Sequence, residues 1–125
     1  MGRGEEMLDK RTWVVVGNHG RNPIVASLVD RLESNGKVVY RVNPYKKSDD
    51  FESIRDIPGA RDIECLNLVV NPQVGMSVIE DAAMVGINNV FIQPGASNPD
   101  LIQLATSKGM EVHEGCVLVE LKSKL

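Results

Sequence analysis

The chain has few of the features that mark a metal protein, a membrane protein or a nucleic-acid-binding protein. Its two cysteines, Cys65 and Cys116, are far apart and have no metal-ligand spacing around them, so we expect two small buried thiols rather than a redox or catalytic pair. No apolar run approaches the length of a membrane span. The net charge of −3 disfavours nucleic acid or a polybasic contact with a membrane.

Targeting and linker signals are also missing from the sequence. Residues 1–6 are too polar for a secretory signal peptide, so we expect a cytoplasmic protein. A length of 125 residues favours one domain. We assign that domain to 12–121, after a polar leader over 1–11 and before a tail over 122–125.

Short apolar runs alternate with amphipathic segments along the chain. The runs predict strands over 12–16, 37–42, 66–70, 90–92 and 111–113. Helices are predicted over 23–35, 74–85 and 99–108, each followed by a glycine. Because short, continuously apolar strands are typical of doubly covered sheets, we predict one three-layer α/β/α domain with about five parallel strands. The expected strand order is 3-2-1-4-5, with a loop and a short helix over 43–65.

The turn over 17–22, between the first strand and a helix beginning at Pro23, is rich in glycine. A helix N-terminus carries unpaired N–H groups and partial positive charge, so this turn predicts a site for a phosphate or pyrophosphate. The full dinucleotide fingerprint is absent, because Pro23 stands where a third glycine would lie. A plain strand-to-helix turn is the alternative.

Polar turns containing Pro or Gly follow four of the strands, over 17–21, 43–47, 71–73 and 93–98. Ligands of open parallel sheets bind at the carboxyl ends of the strands, where the strand order reverses. We therefore expect a binding rim that opens where the exits of the first and fourth strands diverge. Ordinary turn chemistry is the competing explanation for each segment.

Several segments together resemble the small stand-alone CoA-binding domain proteins. The most specific are Val-Asn-Pro at 42–44, aromatic-Ile-Gln-x-Gly-x-x-Asn at 91–98 and Cys-x-x-x-Glu at 116–120. Weaker matches lie at 15–17, 56–58 and 109–112, and the resemblance covers about 12–121. It implies a Rossmann-like domain that binds coenzyme A or an acyl-CoA. The pyrophosphate would lie over the first strand-to-helix turn, and the adenosine near the turn after the second strand.

The resemblance also implies which residues bind the cofactor. The phosphate region would contain Gly17, Asn18, His19 and Arg21; Gly20 is added to it from the glycine-rich turn described above. The adenosine or 3′-phosphate side would contain Asn43, Pro44 and Lys46. The cleft would be bordered by Asn71 and Pro72, and the strand-exit argument adds Gln93 to the site. No catalytic residue and no metal ligand is assigned.

Two alternatives to CoA remain open. An NAD site needs an acidic residue at the end of the second strand, whereas this strand ends in Val-Asn-Pro with Lys46 and Lys47 beyond it. A ligand with an extra ribose phosphate is therefore favoured, CoA ahead of an NADP-type dinucleotide. A protein-interaction module that has lost its ligand is the other alternative, and Asn18 and His19 favour it because the family usually has a small residue and a serine there.

We expect the backbone amides of 17–23 to provide most of the anion recognition. Gly17 is expected to let a phosphate approach and to supply any positive φ that the turn requires.

Overall fold

The computed structural model describes residues 3–45 and 49–122. Within these residues the chain forms five parallel strands and five α-helices. The strands are β1 (Thr12–Gly17), β2 (Val38–Val42), β3 (Cys65–Val69), β4 (Asn89–Ile92) and β5 (Glu111–Glu114). The helices are α1 (Arg3–Leu8), α2 (Pro23–Ser34), α3 (Pro72–Val85), α4 (Pro99–Ser107) and α5 (Val117–Glu120). The predicted α/β class is confirmed.

The strand order is β2-β1-β3-β4-β5, so the expected order 3-2-1-4-5 is wrong. β1 pairs with β2 on one side and with β3 on the other. The connection from β2 to β3 must therefore pass β1, and it does so with two short 3₁₀ turns, Ile54–Asp56 and Ala60–Asp62, instead of a full helix. Ile54 and Ile57 of this connection are buried in the same cluster as α3.

Two apolar cores lie on opposite faces of the sheet, because successive side chains of a strand point to opposite sides. Val14 and Val16 of β1 pack with the 3₁₀ turns, α3 and α4. Trp13 and Val15 pack with α1, α2 and α5. Met7 of α1 belongs to the second core, so helix α1 packs onto the domain. The three-layer arrangement is thus observed.

The helix ends follow local sequence signals. Glycines with positive φ follow α2, α3 and α4, namely Gly36, Gly86 and Gly109. Each of these helices begins with an Asn-Pro pair, in which the asparagine caps the helix and the proline is its first residue. Helix α3 consequently begins two residues earlier than the predicted residue 74. In the part of the chain described here, no helix is both long and apolar enough to cross a membrane.

Candidate functional site

The strand order places the topological switch point between β1 and β3. Helix α2 leaves β1 toward one face of the sheet and α3 leaves β3 toward the other, which is the geometry that opens a crevice in doubly wound sheets. The sequence predicted that the strand order reverses between β1 and β4, which is wrong because β3 lies between them; the ligand position itself stays a prediction.

A cavity of about 390 Å³ opens over the exits of β3 and β4, beside the first turn of α2. Asn71 and Gln93 line it, as do Asn22 and Ile24 of the α2 N-terminus. The turn over 17–21 does not line this cavity. Of the sequence-predicted site residues that the structure describes, Asn71 and Gln93 line the cavity, and the others lie in the β1–α2 turn, after β2 or at the start of α3.

Gln93 and Cys116 form a hydrogen-bonded polar pair in the cavity wall. The Gln93 side chain is 3% exposed, and its Oε1 accepts a hydrogen bond from the Val117 N–H at 2.9 Å. Its Nε2 donates to Cys116 Sγ at 3.3 Å. Cys116 is half-buried, so the expectation of two buried thiols is wrong for Cys116. It holds for Cys65, whose pKa is raised by burial.

The position of Cys116 is set by contacts at the start of α5. Glu120 Oε2 accepts a hydrogen bond from the Cys116 N–H at 3.2 Å, and its Oε1 accepts one from His113 Nε2 at 2.9 Å. The Cys-x-x-x-Glu motif noted in the sequence thus fixes the cavity wall. Sequence reasoning omitted Cys116 from the site, although this motif was a signal for it.

The imidazole of His19 is directed toward its own strand. Nε2 lies 2.9 Å from the Val15 carbonyl oxygen, and because a carbonyl only accepts, Nε2 carries the proton and donates. His19 is 5% exposed, and desolvation by this burial lowers its pKa. In the neutral ring Nδ1 is an acceptor, so the side chain stabilises the turn and has no second proton to offer a phosphate.

Most N–H groups of the β1–α2 turn are already used by the protein. Five backbone N–H groups donate hydrogen bonds to oxygens of the protein, namely those of His19, Arg21, Asn22, Ile24 and Val25. Pro23 has no N–H. Among the described residues of this turn, Asn18 and Gly20 retain N–H groups that donate to no protein oxygen. The turn can therefore offer an anion two free backbone donors rather than a continuous row.

The two glycines of the turn have different roles. Gly17 is the last residue of β1, and a Cβ there would lie 2.8 Å from Val25 Cγ2 and 3.4 Å from Val69 Cβ. Gly20 has a φ of 86°, and a Cβ added there would meet only open space. The expected positive φ belongs to Gly20, and Gly17 is required by the close packing of α2 on β1.

Asn43 connects the exit of β2 to the β1–α2 turn. It is 1% exposed, its Nδ2 donates to the His19 carbonyl at 3.4 Å, and its Oδ1 accepts from the Tyr45 N–H at 3.0 Å. The neighbouring Pro44 is half-buried. Lys46 lies outside the described residues, as does Lys47.

Asn71 and Pro72 begin helix α3. Asn71 Oδ1 accepts from the Val74 N–H at 2.9 Å, which leaves the Nδ2 group of this cavity-lining side chain for a ligand. Pro72 is the first residue of the helix and has no N–H to offer.

A second concave region, a groove of about 350 Å³, lies between α2 and the exit of β2. Four carboxylates line it with Arg41 and the neutral His19: Asp30, Glu33, Asp49 and Asp50. Arg41 Nε lies 3.2 Å from Asp50 Oδ1. The surplus of negative charge makes this groove unfavourable for a phosphate. Within the described ranges, no group of three His, Cys, Asp or Glu side chains could hold a metal ion.

The fold and the cavity define a small parallel α/β domain with a ligand-sized crevice at its switch point. The chain belongs to the CoA-binding domain family, whose sequence model matches residues 11–122. The family resemblance seen in the sequence is thereby confirmed.

Solved structures agree with this assignment. A conserved hypothetical protein from Pyrococcus furiosus is 26% identical, with 89% of this chain and 99% of that chain covered and a TM-score of 0.74. A hypothetical protein from Pyrococcus horikoshii OT3 is 24% identical over 94% of this chain and 85% of that chain, with a TM-score of 0.81, and shows the same fold. The fold also occurs within a dinucleotide-forming acetyl-coenzyme A synthetase 1 of Ca. Korarchaeum cryptofilum, 23% identical over 86% of this chain and 26% of that chain, with a TM-score of 0.67. No curated protein matches the chain.

Proposed function

We propose that this protein binds coenzyme A or an acyl-CoA as a non-catalytic module. The observation that carries the proposal is the cavity beside the first turn of α2, at the switch point of a chain that belongs to the CoA-binding domain family. Ligands of doubly wound folds bind at this position.

The phosphates would bind at the β1–α2 turn. The free N–H groups of Asn18 and Gly20 are donors fixed by the backbone, and the N-terminus of α2 adds its partial positive charge. Arg21 is exposed beside them. His19 and Asn43 hold the turn in place, and Gly17 lets α2 pack closely on β1.

The remainder of the ligand would extend in two directions from the turn. The adenosine and its 3′-phosphate would lie near Asn43 and Pro44, with Lys46 contributing charge. The pantetheine arm would pass Ile24 and enter the cavity, which Asn71 and Gln93 line and at whose edge Pro72 begins α3. Because Gly20 also lines the acidic groove, the phosphates would bind at the edge of that groove, where the N–H groups at the start of α2 offset part of its negative charge.

Binding without catalysis is supported by the contacts of the two histidines. His19 donates to the Val15 carbonyl and His113 contacts Glu120, so both Nε2 atoms are engaged within the protein. The Cys116 thiol accepts a hydrogen bond from the Gln93 amide, which is not a base. We further propose a cytoplasmic location, on the sequence grounds given above.

One observation favours a different function, that of an interaction module without a ligand. Asn22 Oδ1 accepts from the Ile24 N–H at 3.0 Å, so the first free amide of α2 is already capped by the protein. In that case the turn would need no anion, and the altered residues Asn18 and His19 would reflect this loss.

Titration calorimetry with CoA, NADP⁺, NAD⁺ and AMP separates these functions. We expect CoA to bind more tightly than the other three nucleotides.

A second experiment locates the binding site. In ¹⁵N-resolved NMR spectra, the amide signals of Asn18 and Gly20 should shift most on addition of CoA, while Gly36 and Gly86 at the opposite edge of the sheet serve as internal controls. Equal affinity for CoA and AMP, or shifts centred on Gly36 and Gly86, would contradict the proposal.

A further inference from the structure

The cavity at the β3 and β4 exits has an apolar lining. Its apolar side chains come from Ile24, Val69, Val70, Pro94, Ala96 and Leu118. Its polar lining residues are the neutral Asn22, Asn71, Gln93 and Cys116, so no lining residue carries a charge. A volume of about 390 Å³ lies within the range of small-molecule pockets, and it would hold the end of the pantetheine arm together with a short acyl group.

The polar atoms of the lining are placed unevenly. The oxygens of Asn22 and Asn71 accept from helix amides. Gln93 Nε2 donates to Cys116 Sγ at 3.3 Å, but a side-chain amide has two N–H donors and sulfur is a weak acceptor. A second N–H of the buried Gln93 is thus available to a ligand, in addition to the Nδ2 groups of the more exposed Asn22 and Asn71.

We infer that this cavity binds a neutral aliphatic acyl group of an acyl-CoA and rejects acyl groups that end in a carboxylate. The inference rests on the proposed function and extends it to a substrate class. Ile24 belongs to the first turn of α2 and also lines the cavity, so a ligand bound through its phosphates at the preceding turn reaches the cavity directly. Gln93 Nε2 donates to the thioester carbonyl, and the aliphatic chain fills the apolar remainder.

The uncharged and mainly apolar lining is the reason for the inferred preference for neutral acyl groups over those that end in a carboxylate. A methylene group transferred from water to this wall is stabilised by the hydrophobic effect. An ionised carboxylate would lose its hydration without meeting a cation, which is strongly unfavourable. Succinyl-CoA and butyryl-CoA have acyl chains of equal carbon number, so they differ mainly in this terminal charge.

Calorimetric titration with CoA, acetyl-CoA, butyryl-CoA and succinyl-CoA tests the inference. We expect butyryl-CoA to bind about tenfold more tightly than acetyl-CoA, as two buried methylenes allow, and succinyl-CoA to bind no better than CoA. If CoA binds but the butyryl and succinyl forms bind equally, only this inference is overturned. If none of the four binds, the proposed function fails as well.

A pair of variants locates the effect. Ile24 is 53% exposed, so Ile24→Ala should fold and should reduce the preference for butyryl-CoA over CoA by about threefold. Met84 on α3 is an aliphatic side chain of 68% exposure that does not line the cavity, and Met84→Ala should retain the preference. An equal reduction in both variants would overturn the assignment.

Cys116 supplies a readout that does not depend on affinity. It lines the cavity whereas Cys65 is fully buried, so iodoacetamide should alkylate Cys116 first, and mass spectrometry can follow this reaction. Saturating butyryl-CoA should slow the alkylation of Cys116 at least tenfold more than saturating desulfo-CoA does, and desulfo-CoA is used because it lacks the thiol with which free CoA would consume iodoacetamide. Bound butyryl-CoA that leaves the rate unchanged would show that the acyl group lies elsewhere.

Discussion

The cavity at the β3 and β4 exits and the groove between α2 and β2 are similar in size but opposite in chemistry. Both border α2, and their volumes are about 390 Å³ and about 350 Å³. The cavity is lined without charge, while the groove has Asp30, Glu33, Asp49 and Asp50 against Arg41. A size comparison alone would not distinguish them as ligand sites.

The difference indicates how an anionic ligand with an apolar arm would be oriented. Like charges a few ångströms apart repel by about 1–4 kcal/mol between fully hydrated and near-surface conditions, so the carboxylates disfavour a phosphate inside the groove. The N–H groups of Asn18 and Gly20 would hold phosphates at its edge, of which Gly20 is part. The uncharged cavity accepts the neutral arm. The β1–α2 turn, which lies beside both regions, is where the comparison can be tested.

The largest effect is expected at Gly17, on which the geometry of both regions depends. In Gly17→Val the new Cβ would lie 2.8 Å from Val25 Cγ2, so α2 must shift and the free energy of unfolding should fall by about 1–3 kcal/mol or more. Urea unfolding measures this loss. Adding Val25→Ala should restore part of the stability, and a Gly17→Val protein as stable as the original would contradict the packing role.

Two asparagine caps separate helix stability from ligand contact. Asn71 and Asn98 cap α3 and α4 through the same hydrogen bond to a helix amide, so Asn71→Ala and Asn98→Ala should each cost about 1 kcal/mol of stability. Only Asn71 lines the cavity. Calorimetry should therefore show weaker CoA binding for Asn71→Ala alone, and equal binding by the two variants would remove Asn71 from the site.

The fold could be predicted because its signals are local. The apolar runs and the glycines after α2, α3 and α4 specify strands, helices and their ends from neighbouring residues. The strand order could not be predicted in this way. The connection around Ile54 and Ile57 contains no full helix, so its periodicity does not reveal that it crosses β1.

The site residues were harder to predict from the sequence, because their positions depend on contacts between segments that are distant in the chain. Asn71 and Gln93 were predicted from strand exits and do line the cavity, and their contact with CoA stays a prediction. Cys116 was missed because α5 is four residues long and is positioned by Gln93 Oε1, which accepts from the Val117 N–H. The orientation of His19 depends on a carbonyl four residues earlier in β1, which a motif reading cannot show.

A smaller and pH-dependent effect is expected at His19, which borders the acidic groove. Burial lowers its pKa in the folded protein from the ordinary 6.5, so the unfolded state binds the proton more readily. The folded protein is therefore stabilised when His19 is neutral. This stabilisation is complete above pH 6.5 and is lost as the pH falls from 6.5 toward the lowered pKa. Urea unfolding at about pH 7.5 and about pH 5.5 should show this decrease.

Two histidine variants identify the source of that decrease. His19→Gln should reduce the difference in unfolding free energy between the two pH values more than His113→Gln does, because His113→Gln keeps the buried imidazole of His19. The same pH dependence in His19→Gln as in the original protein would show that other groups cause it.

The smallest effect is expected at Arg21, between the cavity and the groove. Arg21 is exposed, so a contact with a ligand phosphate is weakened by water and salt, and Arg21→Gln should lower CoA affinity only about threefold. The loss should be larger at about 0.05 M salt than at about 0.3 M salt, because added salt screens the charge over shorter distances.

The variant Arg61→Gln controls for the change in net charge, because Arg61 is an exposed arginine in the second 3₁₀ turn. Equal losses in both variants would mean that only the overall charge matters. A loss well above tenfold for Arg21→Gln would mean that the side chain, and not the N–H groups of Asn18 and Gly20, provides most of the phosphate recognition.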